Sequence, residues 1–376
     1  MTRLLVALLC LGAAPLAAQR LEVRDHAPGQ WLTSYIPFVA AAPNDGPTLE
    51  WRMRHWQMAD YADRVTHARA FSLRAGASIR GSWFGIVRAD LPRLGDGWRV
   101  AAELRASSDA RWGYYGLGNT TGVDREDAAP GRFDVRRTRY LGYADVTRRV
   151  AGPLQVAVGA YGTIADFAAD DGSLFDATVG ASLLQREASL RAALVLDLRD
   201  REFLTRRGLL AEVGYQAGVS EESFGRWYGV VRGWVAPTRT TVVAARALAA
   251  DLTGTPTLEA RLTLPTWEAT TSVLGGEESH RGLPNGRFAG RGVLATNLEV
   301  RQAIVDRGDY GAAGVVLFGD AGRVFEDEDF RLTFDDWTVG GGAGIWARVL
   351  RNNVFVFTVG AAEGRPFVGF RSGWAF

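Results

Sequence analysis

The sequence of 376 residues has no lysine, so its 43 basic residues are all arginine. With 42 acidic residues the formal net charge is +1. That balance leaves no electrostatic footprint for nucleic acid. Cysteine occurs once, as Cys10 near the N-terminus. The chain beyond it therefore has no disulfide framework, thiolate metal site or cysteine nucleophile. Hydrophobic residues make up 47%. Even so, no run of about 18 apolar residues occurs beyond the N-terminus, so no membrane-spanning helix is expected. The histidines His26, His55, His67 and His280 show no metal-ligand spacing. No Gly-x-Ser-x-Gly elbow or Ser-His-Asp set is visible. The acidic runs Glu326 to Asp329 and Asp335-Asp336 lack the spacing of a calcium loop and read as solvated loops. No metal, cofactor or catalytic set is predicted, and the chain is not read as an enzyme.

What is present is alternation. Residues 1–18 carry Arg3, an apolar core from Leu4 to Leu11 and a small-residue end at Leu16-Ala17-Ala18, the form of a secretory signal. Residues 19–376 are read as one domain, with 19–46 as a lead-in that includes a first strand near Leu32 to Ala40. Beyond it, Phe71, Leu73, Ala75, Ala77 and Ile79 alternate with Ser72, Arg74, Gly76, Ser78 and Arg80. Leu190 to Leu198 alternates with Arg191 to Arg199 in the same way, and Leu258, Ala260, Leu262 and Leu264 with Glu259, Arg261 and Thr263. Strand side chains reverse face at every residue, so each run has one greasy and one charged face. Periodicity cannot say whether the greasy face meets a soluble core or lipid. Length separates the two, because a tilted strand needs roughly 9–11 residues to span a bilayer and soluble strands average about five or six. Phe71 to Arg80 and Ser189 to Arg199 reach the longer figure. Aromatics gather near run ends, at Trp83-Phe84, Trp227-Tyr228 and Trp374 to Phe376, as interfacial girdles do. Roughly 16 to 18 such runs can be counted, with surplus between Leu32 and Trp56 or between Leu174 and Leu184.

The stretch from Gly275 to Gly322 concentrates the remaining signals. A glycine-rich loop carries His280-Arg281-Gly282-Leu283. The glycines Gly275, Gly276, Gly282, Gly286, Gly290 and Gly292 are not followed by a Gly-Lys-Ser/Thr tail, so they read as tight turns and close passage rather than a phosphate cradle. A strand follows with Asn297, Glu299 and Arg301 on one face, and another ends in Phe318-Gly319-Asp320-Ala321-Gly322. A loop arginine followed by two strand carboxylates, Glu299 and Asp320, is arranged for a clamp. On the residues alone, however, an exposed loop arginine is the favoured reading and the clamp the alternative.

These motifs resemble the C-terminal barrel of the BamA/TamA superfamily, also called the bacterial surface antigen family. Its members carry an arginine-glycine-aromatic tip on the sixth extracellular loop and a Phe-x-Asp-x-Gly strand motif. His280-Arg281-Gly282-Leu283 is similar to the tip, with Leu283 in place of the aromatic, and Phe318, Asp320 and Gly322 match the strand motif. Glu299 falls at the family's wall glutamate. Asp197-Leu198-Arg199-Asp200 with Arg207-Gly208, and Tyr114 to Asn119, resemble two further family segments. The resemblance implies an all-β, 16-stranded antiparallel transmembrane β-barrel in a bacterial outer membrane, with the sixth extracellular loop folded inward. It implies that Arg281 docks on Glu299 and Asp320, and that five strands follow the loop. The run to Phe376, with Phe370 and Trp374 in the apolar row, resembles the C-terminal signal by which such barrels are assembled. The implied role is insertion or translocation of proteins at the outer membrane, with lipid, client proteins and a separate periplasmic partner as partners. Assembly-type members carry POTRA modules ahead of the barrel, and 19–46 is too short to hold one. The alternatives are a structural or pore-forming barrel and a surface enzyme.

Overall fold

The computed structural model describes residues 28–42, 46–60, 63–119, 131–268, 270–349 and 353–376. The signal segment 1–18 lies outside them. The chain is built from strands, in order β1 (Trp31–Ala42), β2 (Gly46–Met58), β3 (His67–Ser78), β4 (Trp83–Gly95), β5 (Trp98–Gly113), β6 (Asp134–Ala151), β7 (Leu154–Ala169), β8 (Ser182–Asp197) and β9 (Gly208–Val219). They continue as β10 (Ser223–Val235), β11 (Thr241–Gly254), β12 (Thr263–Pro265), β13 (Thr270–Ser272), β14 (Gly292–Asp306), β15 (Gly311–Phe325), β16 (Thr338–Val349), β17 (Asn353–Ala362) and β18 (Arg365–Ser372). Sixteen of these form one antiparallel sheet in sequence order, in which β11 pairs with β14; β12 and β13 pair only with each other, inside the intervening loop. The 16-stranded architecture and the five strands after the loop are as expected.

The sheet curls into a barrel. The β2–β3 and β8–β9 connections meet, with Glu202 N donating to Arg64 O at 2.9 Å and Arg64 reaching Asp197 at 2.8 Å. The four longest connections, 114–133, 170–181, 255–291 and 326–337, all lie at one end, the long-loop end, and none at the opposite, short-turn end exceeds about ten residues. Alternation then sets the two faces. Leu104, Leu190 and Ile345 point outward with 67%, 64% and 63% of their surface exposed. Arg191, Glu299 and Asp320 point inward and are buried. A soluble sandwich would reverse this, with its charges in water. Burial of guanidinium and carboxylate groups together, under a continuous apolar exterior, is the arrangement of a membrane barrel with a filled lumen.

Three details depart from the alternation pattern. Leu258–Leu262 is a short helix, not a strand, capped by Thr257, whose side chain accepts a bond from Ala260 N. Its alternating residues are too few to distinguish the two periods, and it lies inside the lumen, where Leu258, Glu259, Ala260 and Leu262 are all buried. The surplus run at Leu174 is likewise a helix, Leu174–Thr178, capped by Ser173; Leu32 to Trp56 holds two full strands. The last strand stops at Ser372, four residues before the end of the sequence. Gly373 has φ +89, a left-handed conformation that side chains disfavour, and turns the chain away from the sheet.

Candidate functional site

The connection between β11 and β14, residues 255–291, enters the lumen instead of standing outside it. Its wall partners come from strands across most of the barrel. Nearest the long-loop end, the helix carboxylate Glu259 is held by Arg139 at 2.8 Å and Arg137 at 3.7 Å, both on β6. Thr257 donates to Glu187 at 2.6 Å, and Leu258 N to Gln185 at 3.0 Å, both on β8. Further in, Trp267 N donates to both oxygens of Glu212 at 2.9 and 3.0 Å, and its ring nitrogen donates to Thr147 at 2.9 Å. Glu212 is itself approached by Arg191, which also bonds Asp145 at 2.8 Å. Glu268 marks the far reach of the loop and bridges Arg199 and Arg232. Burial pushes the Glu268 pKa up, but Arg199 and Arg232 more than reverse this and bring it to about 2.

From there the chain returns toward β15. Arg281 is 3% exposed and lies over the β14–β15 ladder, where Asn297 pairs with Asp320 and Glu299 with Phe318. Its Nε and Nη2 donate to the two oxygens of Asp320 at 2.9 and 2.8 Å, a bidentate fork. Its backbone nitrogen donates to Asp320 at 2.9 Å as well. Its Nη1 donates to Glu299, which Arg301 also holds. The guanidinium carbon stands 4.0 Å from the centre of the Phe318 ring, within cation–π range. Asn297 completes the cluster, donating to Asp320 and to Ser279 O, each at 2.7 Å, and accepting from Arg246 at 2.9 Å.

Glycine makes the space for this contact. A Cβ on Gly340 would stand 2.6 Å from His280 Cε1, and one on Gly282 would stand 2.8 Å from the Ala361 backbone. A Cβ on Gly322 would meet Leu274 at 2.8 Å. The tip thus lies in a trough across β15, β16 and β17 that only glycine leaves open. His280 is buried and its Nε2 lies 3.3 Å from Thr338 O. Burial lowers its pKa, so the ring is neutral near neutral pH. Leu283 is buried in the main lumen cluster with Leu274 and Phe288.

The C-terminal residues separate. Phe370 stays on the outer face of β18. Trp374 turns inward and packs edge-on against Trp346 at 5.4 Å. Phe376 joins the lumen cluster; its ring lies 5.3 Å from the Arg246 guanidinium and its carbonyl accepts from Arg301 at 3.0 Å. The structure therefore brings together His280, Arg281, Gly282, Leu283, Glu299, Phe318, Asp320 and Gly322, and adds Phe376 to their neighbourhood. It leaves Phe370 outside. Sequence reasoning did not find Glu259, Trp267 and Glu268 as anchors, or the wall arginines Arg137, Arg139 and Arg232, and singled out Arg199 only within a segment resembling the family's. The signal was an excess of charged residues at inward positions of β6 to β10, but alternation does not say which of them pair.

No family model and no curated protein matches the sequence. Solved structures do match the fold. BamA from Haemophilus ducreyi lacking POTRA domains 1-3 superposes with a TM-score of 0.55 at 10% identity, over 92% of this chain and 70% of that one. CdiB from Escherichia coli gives 0.58 at 15% identity, over 92% of this chain and 62% of that one. CdiB from Acinetobacter baumannii gives 0.54 at 10%, over 90% and 59%. The protein has the 16-stranded barrel fold of BamA and CdiB. It spans less than two thirds of either CdiB chain.

Proposed function

We propose that this protein is a bacterial outer-membrane barrel of the BamA and CdiB type, acting in the insertion or translocation of other proteins and not as an enzyme. The observation that carries this reading is the Arg281 tip held against Asp320 and Glu299 inside a barrel of that fold. A lumen occupied by its own loop is poorly suited to free diffusion, which weighs against a plain pore. The hydrogen-bonded order begins at β1 and ends at β18, and β18 is the shortest barrel strand, with eight residues including Pro366 and Gly369. Proline lacks a ladder donor and glycine weakens a strand, so this end of the sheet is where a client strand would enter. Outer-membrane lipid surrounds the barrel, client barrels are its substrates, and a separate periplasmic partner delivers them. Trp374, Phe376 and Phe370 serve as the terminal signal for the protein's own assembly.

The test is a liposome folding assay. The protein is reconstituted, a urea-unfolded client barrel is added, and client folding is followed by heat-dependent gel mobility. Client folding faster than with an unrelated inserted barrel is the expected result. No acceleration, together with large steady single-channel currents, would replace this reading with the pore.

A further inference from the structure

The lumen loop leaves part of the interior unfilled. A cavity of about 400 Å³ lies toward the short-turn end, between β2 to β5 on one side and β17 and β18 on the other. Its charge is lopsided. Arg52, Arg54, Arg74, Arg88 and Arg99 line it, against Asp90 and Glu202. The far wall answers with no carboxylate, since β17, β18 and the bend after it contribute Asn353, Val354, Ser372 and Gly373.

Some of these guanidinium groups are matched. Arg99 pairs with Glu202, and Arg74 with Glu50 at 2.9 Å. Arg88 reaches Glu103 only at 3.8 Å, and that carboxylate is already held by Arg105 at 2.9 Å. Asp90 is bonded by His67 Nε2 at 3.0 Å. Arg54 meets the other nitrogen of His67, also at 3.0 Å. Arg52 has no hydrogen bond or ion pair among the described residues, and it stands directly opposite Arg74 on the β2–β3 ladder. Like charges directly opposite destabilise a sheet, and low-dielectric walls strengthen the field of a one-sign cleft. Around the lumen loop Arg281, Arg191 and Arg199 each meet two carboxylates, and Arg226, Arg246 and Arg371, which meet none among the described residues, each donate to amide or backbone carbonyl oxygens instead.

We propose that this chamber is an oxyanion site, in which Arg52 and Arg54 take a phosphate or carboxylate group that the protein does not itself supply. The planar guanidinium fork fits either group in a bidentate manner. The site does not depend on the assembly role, so the two stand or fall separately.

The test uses the full folded chain in detergent at constant ionic strength. Sodium phosphate replaces sodium chloride up to about 50 mM, and the midpoint of heat-dependent mobility is read at one heating rate. The site predicts a rise of roughly 3–6 °C at ten times the dissociation constant, absent from the Arg52→Gln/Arg54→Gln protein. Pentaglutamate and pentaglutamine peptides form a second arm. A rise with phosphate alone assigns the anion to free phosphate; a rise with pentaglutamate but not pentaglutamine assigns it to polypeptide carboxylates. Neither anion raising the wild-type midpoint, or an equal rise in the double variant, overturns the site. If the double variant does not fold, equilibrium dialysis of labelled phosphate against the wild type decides. One phosphate per chain, displaced by unlabelled phosphate and not by chloride, supports the site, and none overturns it.

Discussion

Replacing Arg281 with alanine tests the geometry of the lumen loop most directly. The substitution removes a guanidinium that makes two bonds to Asp320 and one to Glu299 and stacks on Phe318. Breaking one side of a buried pair typically costs about 3–5 kcal/mol, much of it from the charge left behind. Here neither carboxylate is fully stripped. Asp320 keeps Asn297 at 2.7 Å and the backbone nitrogen of residue 281 at 2.9 Å, and Glu299 keeps Arg301. The cost therefore falls at the lower end, about 3 kcal/mol. At roughly 2–4 °C per kcal/mol the unfolding midpoint should drop by about 6–12 °C. Barrel unfolding by heat is commonly irreversible, so variant and wild type are compared at one heating rate by gel mobility. Released from the wall, residues 255–291 should also become sensitive to protease added from the long-loop side. Arg281→Lys keeps the charge but loses the fork, and should fall between the two. A double-mutant cycle with Asp320→Ala isolates the pair, with a coupling of about 0.5–3 kcal/mol expected. An unchanged midpoint with unchanged protease resistance, or zero coupling, would refute the clamp.

Two further predictions follow from the same loop. Glu268 has a folded-state pKa of about 2 against an ordinary value of 4.5, so its anchoring contribution is present above about pH 4.5 and is lost as the pH falls toward 2. Protease sensitivity of the loop should rise over that window, and Glu268→Gln should flatten the rise; an identical pH profile in the variant would show that the bridge to Arg199 and Arg232 does not hold the loop. Gly340→Val should push His280 out of the trough, because even a Cβ would come within 2.6 Å of its ring. Overpacking of this kind costs about 1–3 kcal/mol, and a midpoint equal to wild type would show that the tip does not need the trough.

The sequence alone was enough for the barrel. Inward and outward faces follow from alternation because a strand has only two sides, and run length chose lipid over a soluble core. The motif residues Arg281, Glu299, Phe318 and Asp320 were also legible, since they lie within about 40 positions of one another on adjoining elements. What the sequence left undetermined was the course of the loop between Thr255 and His280. Leu258 to Leu264 alternates like a strand, yet Leu258–Leu262 is helical because it packs against the lumen wall instead of pairing with a neighbour. Arg139 finds Glu259, and Thr147 finds Trp267, across 120 positions of chain. Alternation places each of these wall groups inside the barrel, but it carries no information about which inward charge another will meet. The inward turn of Trp374 and Phe376 was hidden for a related reason: an alternating pattern predicts continuation, and the bend at Gly373 is held by tertiary contacts with Trp346 and Arg301. Strand identity is local, set by residues two apart. The filling of the lumen is a choice among distant partners, and only the curvature that brings the wall strands around the loop decides it.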